Sequence, residues 1–211
     1  FTICFLGLLL YGLGNYFSVM AGSVGTNAWN TLSIGLAGTL DIRFGQANFM
    51  ISLVIIVIDL FGKGKLGFGT LMNIIAIPVF SDLFLSVFSF LPAPDGPLMG
   101  LSYALISQLI IAVAAVFYMK PALGYGPRDT FIVIIGRKLP KLPIGVVKYG
   151  IEIVALSLGL LMGAPFGIGT VITVTIQASL FQLACRLFRF EPRNVRNEDF
   201  IDTVKRIRSQ A

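Results

Sequence analysis

Six stretches of this chain, near 2–21, 46–62, 67–90, 98–119, 143–163 and 167–187, are apolar over almost the whole of their length. Each approaches the roughly 20 residues that a helix needs to cross about 30 Å of hydrocarbon. Lipid admits only helices or closed barrels, because it satisfies no backbone N–H or C=O group. The pattern therefore predicts an all-α membrane protein with six transmembrane helices. Charged residues make up only 12% of the 211, and there is no His and only two Cys. Zinc sites, His-based catalysis and disulfide frameworks lack their raw material. The expectation is no enzyme, no metal and no cofactor.

Two further apolar stretches, near 28–37 and 127–135, are too short to span, since about ten residues extend only about 15 Å as a helix. They are expected to be re-entrant, interfacial or packed among the others. The basic residues choose between the counts. With six spans and a cytoplasmic C-terminus, Lys63, Lys65, Lys120, Arg128, Arg137, Lys138, Lys141 and the tail from Arg186 all fall on the cytoplasmic side, and only Arg43 lies outside. Counting the short stretches as spans would move Lys63, Lys65 and Lys120 outside, against the positive-inside bias. The net charge of +6 is thus a topology signal and predicts no nucleic-acid partner. The stretch 2–21 reads as a retained helix, and Cys4 and Cys185 sit near cytoplasmic helix ends, where no disulfide is expected.

The chain also matches itself at an offset near one hundred. Gly25 aligns with Gly124, Asn30 with Asp129 and Thr31 with Thr130; after one inserted residue, Gly45 aligns with Gly145 and Gly67-Phe68-Gly69-Thr70 with Gly167-Ile168-Gly169-Thr170. Each half then holds three spans and one short segment. An odd number of spans forces the second half to insert the other way up, which predicts a 3+3 inverted-topology repeat. The expected organisation is a first repeat over 1–90, an external linker over 91–97, a second repeat over 98–187 and a cytoplasmic tail over 188–211. From Asn197 that tail reads as an amphipathic helix lying on the inner leaflet or docking a partner or a second copy.

The residues Gly25-Thr26-Asn27-Ala28-Trp29-Asn30-Thr31, Gly45-Gln46 and Gly67-Phe68-Gly69-Thr70, followed by Asn73 and Asp82, resemble the bacterial YczE/YyaS/YitT-type integral membrane protein family. The likeness covers nearly the whole chain. It implies a bacterial plasma membrane and no assigned substrate.

Ionisable groups at membrane depth are expensive and default to functional candidates. Asp59 lies close enough to the Gly62-Lys63-Gly64-Lys65 loop to read as a partner for Lys63. Asp82, with Gln182 as its repeat mate, and Glu152, one helical turn from Lys148, are candidates for proton coupling; an i,i+4 pair with Lys148 is the alternative for Glu152. Asp59 and Asp82 lie at depths about 18 Å apart at 1.5 Å per residue, too far to form an aspartyl dyad. Asn27 and Gly126 read as N-caps, with Asn30 and Asp129 at the third helical position either capping or meeting a solute. Trp29 and Tyr125 read as gate or interface aromatics. The glycines of the two Gly-x-Gly-Thr runs permit close helix approach. The polar faces that follow them, with Thr70 and Asn73 on one and Thr170, Thr173 and Gln177 on the other, either line a path or bind helices together.

These residues predict a transporter or channel-like protein for a small polar or cationic solute. Its site would lie between the halves, framed by Asn30, Thr70, Asn73, Asp129, Thr170 and Thr173, with Arg128 neutralising Asp129. A non-transporting scaffold for a biosynthetic or secretion partner is the alternative class.

Overall fold

The computed structural model describes residues 2–62, 67–90, 95–142 and 144–190. Its helices are α1 (Thr2–Met20), α2 (Ala28–Leu40), α3 (Phe44–Phe61), α4 (Phe68–Val87), α5 (Pro97–Met119), α6 (Pro127–Lys138), α7 (Ile144–Leu161) and α8 (Ile168–Leu187), with one 3-10 turn at Gly22–Val24. No strand occurs among the described residues. Five helices, α1, α3, α4, α5 and α8, are long and apolar enough to cross a bilayer. Their outward faces carry bare aliphatic side chains such as Val54, Ile75 and Val79, each more than half exposed. An apolar surface of that extent is stable only against lipid. The chain is a multi-pass membrane protein. The expected tail helix from Asn197 lies outside the described residues.

The two short helices start where their residues dictate. Asn27, in extended backbone, accepts the Asn30 amide on its side chain at 3.0 Å and so caps α2. Gly126 precedes α6, and Pro127 occupies its first position, where a missing N–H costs nothing. At the other end of α2, Asp41 closes the helix in the left-handed conformation.

The helices pack in matching pairs. First-half α1 lies on α4 as second-half α5 lies on α8, and α2 lies on α7 as α6 lies on α3. The two leading helices, α1 and α5, run antiparallel against each other: Gly7 faces Tyr118, Gly14 faces Ile111 and Gly100 faces Ala21. A Cβ on Gly7 would stand 2.5 Å from the Tyr118 amide nitrogen, so only glycine permits this approach. The start of α1 (Cys4, Leu8), the end of α5 (Val116, Met119) and the end of α8 (Ala184, Cys185) share one buried cluster.

The Gly-x-Gly-Thr runs serve a crossed contact. Each packs on the loop that leads into the other half's short helix. Gly69 donates its amide to the Leu123 carbonyl at 2.7 Å, and a Cβ on it would lie 3.0 Å from the Gly124 carbonyl oxygen. In the counterpart contact, a Cβ on Gly169 would lie 2.7 Å from the Gly25 carbonyl oxygen. Gly25 and Gly124 both have positive φ, +82° and +114°, a region that side chains disfavour. These four glycines let backbone meet backbone, as the close-approach reading requires.

A polar cavity where both halves meet

The first turns of α2 and α6 face a cavity of about 150 Å³ that all eight helices help to line. Trp29 and Arg128, each second in its short helix, meet there, with the guanidinium carbon 4.8 Å from the indole ring centroid. The stacking holds the cation by its face and leaves its edge open. Around them stand Asn48 and Ser52 of α3, Asn73 of α4, Gln108 of α5, Lys148 and Glu152 of α7 and Gln177 of α8. Lys148 Nζ lies 3.9 Å from Glu152 Oε1 as the i,i+4 spacing predicts, the lysine partly exposed and the glutamate buried. Four buried polar atoms on this wall have no hydrogen-bond partner among the described residues: Arg128 Nη2, Gln108 Nε2, Gln177 Nε2 and Glu152 Oε2.

Of the candidate solute-binding and proton-coupling residues, the structure brings Asn73, Asp129 and Glu152 to this cavity, together with Trp29, Gly126, Arg128, Lys148 and Gln177. Asp129 does not pair with Arg128. Its Oδ2 accepts a hydrogen bond from the Tyr118 hydroxyl at 2.5 Å, which ties α6 to α5. Asn30 is elsewhere: its side-chain amide donates to Asn15 Oδ1 at 3.0 Å and Ser18 Oγ at 2.9 Å. Asn15 continues to Ser81 Oγ at 3.0 Å, and Ser18 also meets Thr26. Asn30 and Asp129 thus play one role in the two halves, each fastening a short helix to the leading helix of its own half. Neither caps its helix with its side chain.

The three threonines also lie off the cavity. Thr70 accepts the Gly67 amide at 3.1 Å and donates to the Tyr125 carbonyl at 2.6 Å, bracing the crossed loop. Thr173 donates to the Thr170 carbonyl at 3.2 Å, and Thr170 is fully buried against Gly25. Asp82 accepts the Gly45 amide at 2.7 Å, so its carboxylate caps the start of α3, where the helix dipole favours an anion. A Cβ on Gly45 would stand 2.6 Å from the Asp82 carboxyl carbon, which explains the glycine.

For Asp59 the expected pairing with Lys63 falls outside the described residues. Asp59 is fully buried, and neither carboxylate oxygen has a partner among the described residues. Asp82 holds the beginning of α3 while Asp59 sits near its end, fourteen residues past Gly45, or about 21 Å along the axis. The two carboxylates remain apart. Sequence reasoning missed Gln108 and Tyr118, the first because a lone amide in an apolar span has no repeat mate to flag it. Tyr118 was masked by its place at the end of a span, where an aromatic reads as an interface anchor.

An all-helical bundle with lipid-facing flanks and a polar interior defines a polytopic membrane protein. More particularly, a family model described as a family of unknown function (DUF6198) matches residues 1–186, and the chain belongs to that family. It is similar to an uncharacterized protein of Haemophilus influenzae, 34% identical over 182 residues, 86% of this chain and 81% of the relative. It is also similar to the uncharacterized membrane protein YczE of Bacillus subtilis, 25% identical over 184 residues, 87% of this chain and 84% of the relative. The resemblance carried by the glycine motifs agrees with this family. No solved structure matches the chain.

Proposed function

We propose that this protein moves a small polar solute across a bacterial plasma membrane, as a six-span inverted repeat with both termini cytoplasmic and the shared cavity as its site. One observation carries the reading: a cavity lined from both halves, with unpartnered polar atoms on four of its lining residues. Each buried unsatisfied group costs about 1–3 kcal/mol, and four of them gather on residues that line this one cavity. Alternating-access transporters place their sites at such a repeat interface.

The remaining architecture supports the reading. The antiparallel α1 and α5, and the matched pairs of packed helices, are what inversion of a duplicated half would produce. The 18-residue α7, with Ile153, Val154 and Leu161 turned outward, supplies the sixth span. Cys4 and Cys185 in one cluster put the start of α1 and the end of α8 at one face, the face that the basic loops mark as cytoplasmic.

The test is uptake into proteoliposomes, comparing the wild type with Ala115→Phe, which projects a ring into the cavity from a half-buried position. A saturable uptake that falls at least tenfold in a folded variant supports the reading. Uptake unchanged by the obstruction overturns it.

A further inference from the structure

We infer that the cavity recognises a small zwitterion of amino-acid size, its carboxylate on Arg128 and Gln108 and its protonated amine on Glu152. This rests on the cavity being the solute site and names the chemistry of that solute.

The unpartnered atoms set the requirement. Gln108 and Glu152 are both 3% exposed, and each has a polar atom with no partner that lines the cavity. A glutamine amide can present either its oxygen or its nitrogen, so Gln108 and Gln177 adapt to what is bound. Arg128 and Glu152 cannot adapt. A guanidinium only donates, and a carboxylate only accepts. With Nη2 unpartnered, no carboxylate within salt-bridge range among the described residues and the guanidinium over the Trp29 ring, Arg128 offers Nη2 as a charged donor to a carboxylate. The first turn of α6, beside it on the cavity wall, adds the positive end of a helix.

Glu152 states the opposite need. Lys148 approaches Oε1 at 3.9 Å and the Gln177 amide stands beside the carboxylate, while Oε2 has no partner at full hydrogen-bond geometry. Lys148 and Gln177 leave Glu152 Oε2 open to a further donor, as Arg128 Nη2 is open to an acceptor. A molecule with both ends satisfies the two at once, which favours it over the simple cation suggested by Asp129 alone. Asp129 is already bonded to Tyr118. Size agrees: a cavity of about 150 Å³ accommodates a ligand as large as benzene, the scale of glycine, alanine or β-alanine. Ile77, Ile111 and Ala112 on the wall suit a short aliphatic group.

The test is equilibrium binding of radiolabelled alanine to the full chain in detergent, with glycine, acetate and methylamine as competitors. Glycine should compete, while acetate and methylamine each compete at least tenfold more weakly. Glu152→Gln should weaken glycine at least tenfold and leave acetate unchanged, and Arg128→Gln should weaken both. Acetate or methylamine competing as well as glycine overturns the inference, as does absence of alanine binding to the folded wild type. The wild-type competition series decides the matter even where a variant fails to fold. Counterflow in proteoliposomes separates the two readings. Specific alanine binding without counterflow supports the zwitterion site and overturns transport, whereas saturable movement of another solute without alanine binding does the reverse.

Discussion

Arg128 and Trp29 are counterparts that touch. Each is the second residue of its short helix, they are separated by the same offset that relates Gly25 to Gly124 and Thr31 to Thr130, and the guanidinium lies 4.8 Å from the ring. In the proposed inverted repeat the two-fold axis passes between these two side chains. Two arginines there would repel, and two tryptophans would leave no charge. The aromatic–cation pair keeps the packing and makes the cavity electrically one-sided. Trp29→Leu should accordingly preserve the fold but remove the face that holds Arg128, and thermal melting should fall by about 0.5–2 kcal/mol, the range of a cation–π contact. A variant as stable as the wild type would show that the stacking contributes nothing.

The crossed glycines predict a steric effect of similar size in the two halves. Ala at Gly25 or Gly124 meets both a positive φ and a crowded neighbour, with Gly67 Cα 2.7 Å from a Cβ at Gly124. Each substitution should cost at least about 1–3 kcal/mol, measured by denaturation in detergent, whereas Ala at Gly38, which has open space around it, should be neutral or stabilising.

Asn30 belongs to a buried network. Asn30→Ala removes both donors to Asn15 and Ser18 and should cost about 1–3 kcal/mol per orphaned group, while ligand affinity in the variant that still folds stays within twofold of wild type. A selective loss of affinity with unchanged melting would instead put Asn30 at the solute.

Asp59 tests the reverse sign. A fully buried carboxyl with no partner among the described residues costs stability that an apolar side chain of similar volume restores. Asp59→Leu should raise the melting temperature. A fall in stability, or loss of uptake with stability retained, would show a role for the carboxyl.

Topology is open to single-cysteine labelling in intact cells, since Cys4 and Cys185 are buried. A cysteine at exposed Arg43 should react with an impermeant maleimide from outside, and one at exposed Lys120 or Arg137 only after permeabilisation. External labelling at Lys120 would rule out the six-span arrangement.

Much of the architecture was legible in the residues because membrane helices obey simple accounting. Apolar length located every helix to within a few residues, and Asn27, Gly126 and Pro127 marked the starts of the short ones. The site was only partly legible. Asn73, Asp129 and Glu152 reach the cavity, but Thr70 and Thr173 donate to backbone carbonyls and Thr170 is buried against Gly25, since a hydroxyl inside an apolar span is as useful to helix packing as to a solute. Asp82 shows the same limit. A carboxylate inside an apolar span advertises a need for a partner, but only the fold reveals that the partner is the Gly45 amide of the preceding helix. Arg128 acts on Asp129 through its charge and not through a contact ion pair, because adjacent residues on a helix point in different directions.

The crossed loops have a consequence for biosynthesis. Gly25 packs on the Pro165–Thr170 stretch, and at about 5–20 residues per second the intervening stretch of about 140 residues takes on the order of ten seconds to synthesise. Until α8 emerges, the turn into α2 lacks that support and rests on α5, where Gly100 meets the Ala21 carbonyl. The nascent chain must wait in the bilayer with its first half inserted but unlatched, and the last span to be made closes the first turn. Ribosomes that stall before α8 should leave a product that membrane proteases recognise.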